Sequence, residues 1–264
     1  VSATVRWAVL LEYHGGPFVG WQRQAAGLSV QSVLERAASH LAGGAPVPSI
    51  VAGRTDAGVH AHGQVAHFEL PERTPALTPD RLRDALNFHM KPHPVAVLRA
   101  AMVAPDWSAR FSAVRRVYLY RILNRAARPA LQAGLAWHVR QPLDAAAMQS
   151  GADRLLGRHD FTSFRASACQ AKSPIRTLDR LAVSRSGDWI EIAVEARSFL
   201  HHQVRNMVGT LALVGTGAWT PDQVAAALAA RHRAAAGPTA PADGLALVSV
   251  GYPEDPFGSA PVSP

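Results

Sequence analysis

Residues 77–86, LTPDRLRDAL, and residues 219–228, WTPDQVAAAL, are the pair of stretches on which the fold reading turns. In each, Thr-Pro-Asp stands before an apolar-periodic run. Threonine is a favoured helix cap, and proline is tolerated in the first turn because its missing N–H would have no helical partner there. Thr-Pro-Asp is a common helix start, so the echo alone is weak. The elements around it repeat as well.

Working outward from the first copy, residues 5–13 read as an apolar strand followed by the Gly-rich loop HGGPFVGWQRQ. A helix is expected at about 29–42, where Val30, Val33, Leu34, Ala37 and Leu41 recur at helical spacing. Strands are expected near 49–53 and 63–70, then the helix after Thr78, then a strand near 95–103. The second half follows the same plan: a strand at 113–123, a helix at 143–157, and strands at 176–185 and 189–197 across the turn Ser186-Gly187-Asp188. A helix from about 201, the helix after Thr220 and a last strand at 245–250 complete it. The fold class expected is therefore α+β, with two pseudo-repeated ferredoxin-like (split βαβ) halves and mostly antiparallel sheets. The expected domains are 1–106, 107–252 and a mobile tail at 253–264, rich in Pro, Gly and Ser.

Composition narrows the function classes. The chain has 264 residues, 27 Lys+Arg against 19 Asp+Glu, a formal net charge of +8 and 48% hydrophobic residues, which excludes wholesale disorder. Lys91 and Lys172 are the only lysines. Arginine forks suit phosphate oxygens and stack on bases, although GC-rich coding bias gives the same enrichment. A single cysteine, Cys169, excludes an intrachain disulfide framework and fits a reduced, cytoplasmic protein. No segment reaches the roughly 18 apolar residues of a membrane span, and neither a membrane association nor a signal peptide is expected.

Residues 50–64, IVAGRTDAGVHAHGQ, run from a strand into a turn that holds Arg54, Thr55 and Asp56 among glycines. On a strand from Arg115 to Leu123, alternation puts Arg116, Tyr118 and Tyr120 on one face. An arginine beside two rings suits an unpaired base with a nearby phosphate, while burial of the tyrosines against a helix explains the same pattern. His60, His62 and His67 cluster in sequence and His201-His202 are adjacent, but no carboxylate- or cysteine-rich ligand set accompanies them. These histidines are expected to pack or hydrogen-bond, and no metal or cofactor is expected.

The segment at 50–64 resembles the catalytic signature of the tRNA pseudouridine synthases of the TruA family. Further matches are EYHGGPFVGWQRQ (12–24), WSARFSAVRRVYLYRILN (107–124), DFTSFRAS (160–167), FLHHQVRNMVG (199–209) and ADGLALVSVGY (242–252). The resemblance implies isomerisation of uridine to pseudouridine at positions 38, 39 and 40 of the tRNA anticodon stem-loop, in a catalytic cleft between the two halves, by a homodimer that uses no cofactor. By position, Asp56 matches the catalytic aspartate and Tyr118 the tyrosine that stacks on the target base. Arg205 matches the arginine that pairs with the aspartate, Leu245 the pocket-wall leucine, and Arg54 an arginine implicated in RNA contacts. Val117 departs from the family, which usually has arginine before the tyrosine.

The chemistry fits that reading. The isomerisation breaks a glycosidic bond, turns the base and rejoins it through C5, so no P-loop or dinucleotide fingerprint is needed. The base must leave its stack, which a tyrosine and an apolar wall would favour. Residue types alone admit Asp56 as nucleophile on the sugar or as base towards a sugar proton. Arg23, Arg110, Arg125, Arg128, Arg165 and Lys172 are candidates for a track along the tRNA backbone. The rival readings are a catalytically silent RNA-binding protein with duplicated RNA-recognition-like units, and a phosphoryl-transfer or metal-dependent RNA enzyme.

Overall fold

In the computed structural model, which describes residues 3–72, 75–167 and 169–258, the elements run β1 (Thr4–Tyr13), α1 (Val30–Leu41), β2 (Ile50–Val51), β3 (His60–Pro71), α2 (Pro79–Met90) and β4 (Val95–Met102). There follow β5 (Arg115–Asn124), β6 (Trp137–Val139), α3 (Ala145–Asp153), β7 (Gly157–Asp160), β8 (Ile175–Ser186) and β9 (Trp189–Ala196). The chain ends with α4 (Gln203–Gly215), α5 (Pro221–Ala230) and β10 (Leu245–Gly251). Two compact units result. One is the chain up to Arg115 together with the stretch from Leu247 onward; the other is Arg116–Ala246. The grouping differs from the sequence-based boundaries: the join falls at Arg115/Arg116, and most of the last strand counts with the first unit.

In the first unit β1 is central, antiparallel to β3 on one side and β4 on the other. Its run Trp7–Leu11 is buried throughout, as expected of a strand covered on both faces. Ser29 caps α1 in a capping box with Ser32, and Val30, Val33, Leu34, Ala37 and Leu41 are all buried. Thr78 caps α2, its Oγ1 accepting from the Arg81 amide at 3.3 Å, and the helix buries a single stripe of Leu82, Leu86 and Met90. The expected strand at 49–53 shrinks to two residues, Ile50 and Val51, paired with His67 and Ala66. Beyond Val51 the chain leaves the sheet for the loop described below. Residues 253–258 are tied down rather than loose. Phe257 packs on a cluster of Leu10, Ala52, Val65 and Ala109, and Arg99 donates to the Gly258 carbonyl at 3.0 Å. The remainder of the expected tail, 259–264, lies outside the described residues.

In the second unit β9 lies between β5 and β8, antiparallel to both, and β7 extends the sheet beyond β8. The turn at Gly187-Asp188 closes the hairpin with Ser186 opposite Trp189, and Gly187 takes φ +57°. The helix expected at 143–157 is shorter, because Asp144 caps it and the chain leaves it after Asp153 to form β7. Helix α4 is the core helix of this unit: all its residues except Arg205 and Leu213 are buried. The arrangement is a mixed α+β fold with mostly antiparallel strands and five helices. Among the described residues no helix is long and apolar enough to cross a membrane.

Candidate active site

The turn at 52–59 is held from beneath by a buried polar network. The Tyr13 hydroxyl lies 2.8 Å from Thr55 Oγ1, and Gln64 Nε2 donates to Tyr13 Oη at 3.3 Å and to the Gly53 carbonyl at 2.8 Å. Tyr13, Thr55 and Gln64 are all buried, Gln64 completely. Burial pushes the Tyr13 pKa up to about 12 against the lowering effect of its two hydrogen bonds, so its proton is retained at any working pH. From the side, the Trp21 amide donates to the Thr55 carbonyl at 3.0 Å. Gly20 makes that approach possible. It takes φ +108°, and a Cβ there would stand 2.8 Å from the Thr55 oxygen and 3.1 Å from the Asp56 carbonyl carbon. Within the turn the Val59 amide donates to the Asp56 carbonyl at 3.1 Å. Arg54 is thereby exposed, Thr55 buried and Asp56 half-buried.

In the second unit the alternation read from the sequence is observed. Arg116, Tyr118, Tyr120 and Ile122 are buried along one face of β5, while Val117 and Leu119 are half-buried on the other. Tyr118 packs edge-on against Phe199, with ring centroids 5.2 Å apart. Arg116 donates to the Arg197 carbonyl, and Tyr120 Oη donates to the Pro241 carbonyl at 2.8 Å. Burial raises the Tyr120 pKa, partly offset by the charge of Arg205. Arg205 stands in the first turn of α4, where Nε donates to the Ala240 carbonyl at 2.8 Å and its own carbonyl accepts from the Ala240 amide at 3.1 Å. The first bond orients the guanidinium, and the second ties the helix backbone to the same residue. The cap of that helix, His202, takes φ +62°, a conformation uncommon for a non-glycine residue. Leu245, buried, opens β10 just after a 3-10 turn at Ala242–Gly244. Arg165 is half-buried after the 3-10 turn Thr162–Phe164, and Arg110, in the first unit, is exposed with its guanidinium 5.5 Å from the Phe111 ring.

Comparison with known proteins gives the family. A family described as tRNA pseudouridine synthase matches residues 152–253. The tRNA pseudouridine synthase A of Acidiphilium cryptum is 67% identical over 96% of this chain and 98% of its own. The proteins of that name from Gluconobacter oxydans and Paramagnetospirillum magneticum are 54% and 62% identical over 96% and 94% of this chain, and over 91% and 95% of their own. The chain belongs to the tRNA pseudouridine synthase A family. It is an isomerase that converts uridine to pseudouridine in tRNA. A crystal structure of a Cbf5-Nop10-Gar1 complex aligns with 94% of this chain and 50% of that one at a TM-score of 0.38 and 12% identity, too loosely to carry an argument.

The residues that fix the turn include several that sequence reasoning did not single out. Tyr13 and Gln64 lie inside matched blocks, but nothing in their spacing announces that they meet under Thr55. Two of the three histidines of β3 serve the backbone. His60 Nδ1 accepts from the Gly15 amide at 3.0 Å, and His67 Nδ1 from the Ala109 amide at 3.0 Å. Two of the candidate backbone-track residues also have local partners: Arg23 pairs with Glu35, and Arg125 with Asp188 at 3.6 Å. Arg128 and Lys172 are exposed.

Proposed function

We propose that this synthase modifies uridines 38, 39 and 40 in the anticodon stem-loop of tRNA, as a cytoplasmic homodimer, with Asp56 as the catalytic carboxylate. The observation that carries the reading is the construction around Asp56. A half-buried carboxylate sits in a Gly-Arg-Thr-Asp turn whose preceding residues Gly53 and Thr55 are held by Gln64, Tyr13 and the Trp21 amide, and whose own carbonyl accepts from the Val59 amide. Such preorganisation is what catalysis by position requires. The reading takes Asp56 from one half of the chain and Tyr118, Arg205 and Leu245 from the other. The shared order of elements along the chain supports a duplication of one split βαβ unit: β1, α1, β2, β3, α2 and β4 in the first half, β5, α3, β8, β9, α4 and β10 in the second.

In this reaction the bond from uracil N1 to C1′ breaks, the base turns, and C5 bonds to C1′; the C5 proton leaves and N1 gains one. The Asp56 carboxylate either attacks C1′ or removes the adjacent sugar proton, and both routes need it held against an everted nucleoside. Tyr118 stacks on that base and Leu245 walls it, replacing the stack it has left. Arg205, with Nε already fixed on the Ala240 carbonyl, supplies a directed guanidinium to the carboxylate. Arg54, Arg110 and Arg165 contact the RNA backbone.

The test is to incubate the purified protein with an unmodified tRNA transcript in the presence of a chelator and map pseudouridine. Modification at 38, 39 and 40 is expected. Modification confined to other positions, or only after metal is restored, overturns the assignment.

A further inference from the structure

Behind the turn that carries Asp56 lies a second construction, centred on Glu35. Its position on α1 falls outside the apolar stripe of Val30, Val33, Leu34, Ala37 and Leu41, yet it is 8% exposed. A buried carboxylate is tolerated only with several donors, and this one has four. Oε1 accepts from the Ser49 amide at 2.7 Å, Ser49 Oγ at 2.9 Å and Gln31 Nε2 at 2.9 Å; Oε2 accepts from Arg23 Nη2. Gln31 reinforces the grip, its Oε1 accepting from the Arg23 amide at 3.0 Å.

The donors come from two segments that both lead to Asp56. Ser49 is the residue before β2, from which the chain enters the turn at 52–59. Arg23 ends the segment in which Gly20 and Trp21 accept from the amides of Val30 and Gln31, at 3.2 and 3.0 Å, while the Trp21 amide donates to the Thr55 carbonyl. One carboxylate therefore fixes the strand that delivers the turn and the segment that pins it. We infer that Glu35 is a positioning residue for Asp56, acting through Ser49 on one side and Arg23 on the other. The inference rests on Asp56 being the catalytic carboxylate.

The surroundings supply a discriminating test. Glu35 borders an open cavity of about 370 Å³, also lined by Arg23, Ser32, Arg36, Ser39 and Val47. In Glu35→Ala the donors would face that cavity, and a small carboxylate could enter from solvent and take up their bonds. A misplacement near 1 Å costs about a hundredfold in rate. Glu35→Ala should therefore lower the single-turnover rate at saturating enzyme by about 10- to 100-fold while tRNA affinity stays near wild type. Formate or acetate should restore part of the rate, with chloride at equal ionic strength as control. Neither should restore Asp56→Asn. Glu35→Gln, which keeps one acceptor oxygen, should fall between wild type and Glu35→Ala; if the alanine variant does not fold, Glu35→Gln and Ser49→Ala carry the same rate measurement.

Wild-type rates in the folded Glu35 variants, whatever their melting temperatures, overturn the inference, as does a rate loss matched by an equal loss of tRNA affinity. Asp56→Asn assayed alongside separates the two claims. If it turns over normally, the catalytic assignment has failed. If it is inactive while the Glu35 variants run at full rate, only the positioning role has failed.

Discussion

Replacing Tyr13 by phenylalanine removes one oxygen from the centre of the network beneath the turn that carries Asp56. The ring can remain, packed at 6.2 Å between centroids from Trp21. Thr55 loses the partner at 2.8 Å, and its hydroxyl belongs to a residue only 6% exposed; Gln64 keeps its bond to the Gly53 carbonyl. A buried hydroxyl left unsatisfied costs about 1–3 kcal/mol, so the variant should lose about 2 kcal/mol of stability. For a chain of this size that corresponds to a Tm lower by about 4–8 °C. Thr55 adjoins Asp56, and a shift of the turn by a fraction of an ångström should lower the single-turnover rate about tenfold. Affinity for tRNA should barely change. Because Thr55→Val removes the hydroxyl that Tyr13→Phe leaves unpaired, adding it should restore about 1 kcal/mol relative to the sum of the two single changes. Calorimetry and a rapid-quench pseudouridine assay measure both effects. A Tyr13→Phe protein with unchanged Tm and unchanged rate would refute the idea that this hydrogen bond holds the turn.

Gly20→Ala and Gly43→Ala make a matched pair, since both glycines have positive φ. An added Cβ meets the Thr55 oxygen at 2.8 Å in the first and nothing within 4 Å in the second. Each should lose about 1–2 kcal/mol from the backbone conformation, but only Gly20→Ala should also lose turnover; equal rates in the two variants would contradict the clash. His67 is held below its ordinary pKa of 6.5, first by burial and then by the nearby charge of Arg6, with Glu69 opposing. The unfolded chain therefore takes up this proton first, so the contribution of His67 is full above pH 6.5 and is lost as the pH falls towards the depressed folded value. Urea midpoints should drop over that interval in the wild type and less in His67→Gln; parallel curves would reject the buried neutral ring. Affinity for tRNA should fall steeply with salt, and Arg110→Ala should flatten the logarithmic slope by about one unit. A salt-independent affinity would contradict backbone contacts.

Local signals in the sequence carried over into the fold. Thr78-Pro79-Asp80 starts α2 where capping chemistry says a helix should start, and Gly187 closes the β8–β9 hairpin. The alternation of Arg116, Tyr118 and Tyr120 on β5 is likewise the observed burial pattern. What escaped were features fixed by distant partners. Strand β6 is three residues long and lies parallel to β5, held by Asn124 Nδ2 on the Val139 carbonyl at 2.9 Å; no periodicity operates over three residues. Val51 ends β2 because the carbonyls of Gly53 and Thr55 that follow are claimed by the Gln64 side chain and the Trp21 amide. Glu35 looks solvent-facing on a helical wheel and is buried only because Arg23, Gln31 and Ser49 converge on it. For the candidate site, Asp56, Tyr118, Arg205 and Leu245 were reached through the resemblance of their blocks to the family, since residue type and spacing alone also fit a plain turn and a buried strand face. The network of Tyr13, Thr55 and Gln64 was not, since its members are 42 and 51 positions apart in the chain.

The most direct test of the account is Asp56→Asn, which keeps the side chain's size and removes its charge. Single-turnover pseudouridine formation should be abolished at positions 38, 39 and 40, with tRNA binding and Tm close to wild type. Pseudouridine forming at a near-normal rate in that variant would contradict the central claim.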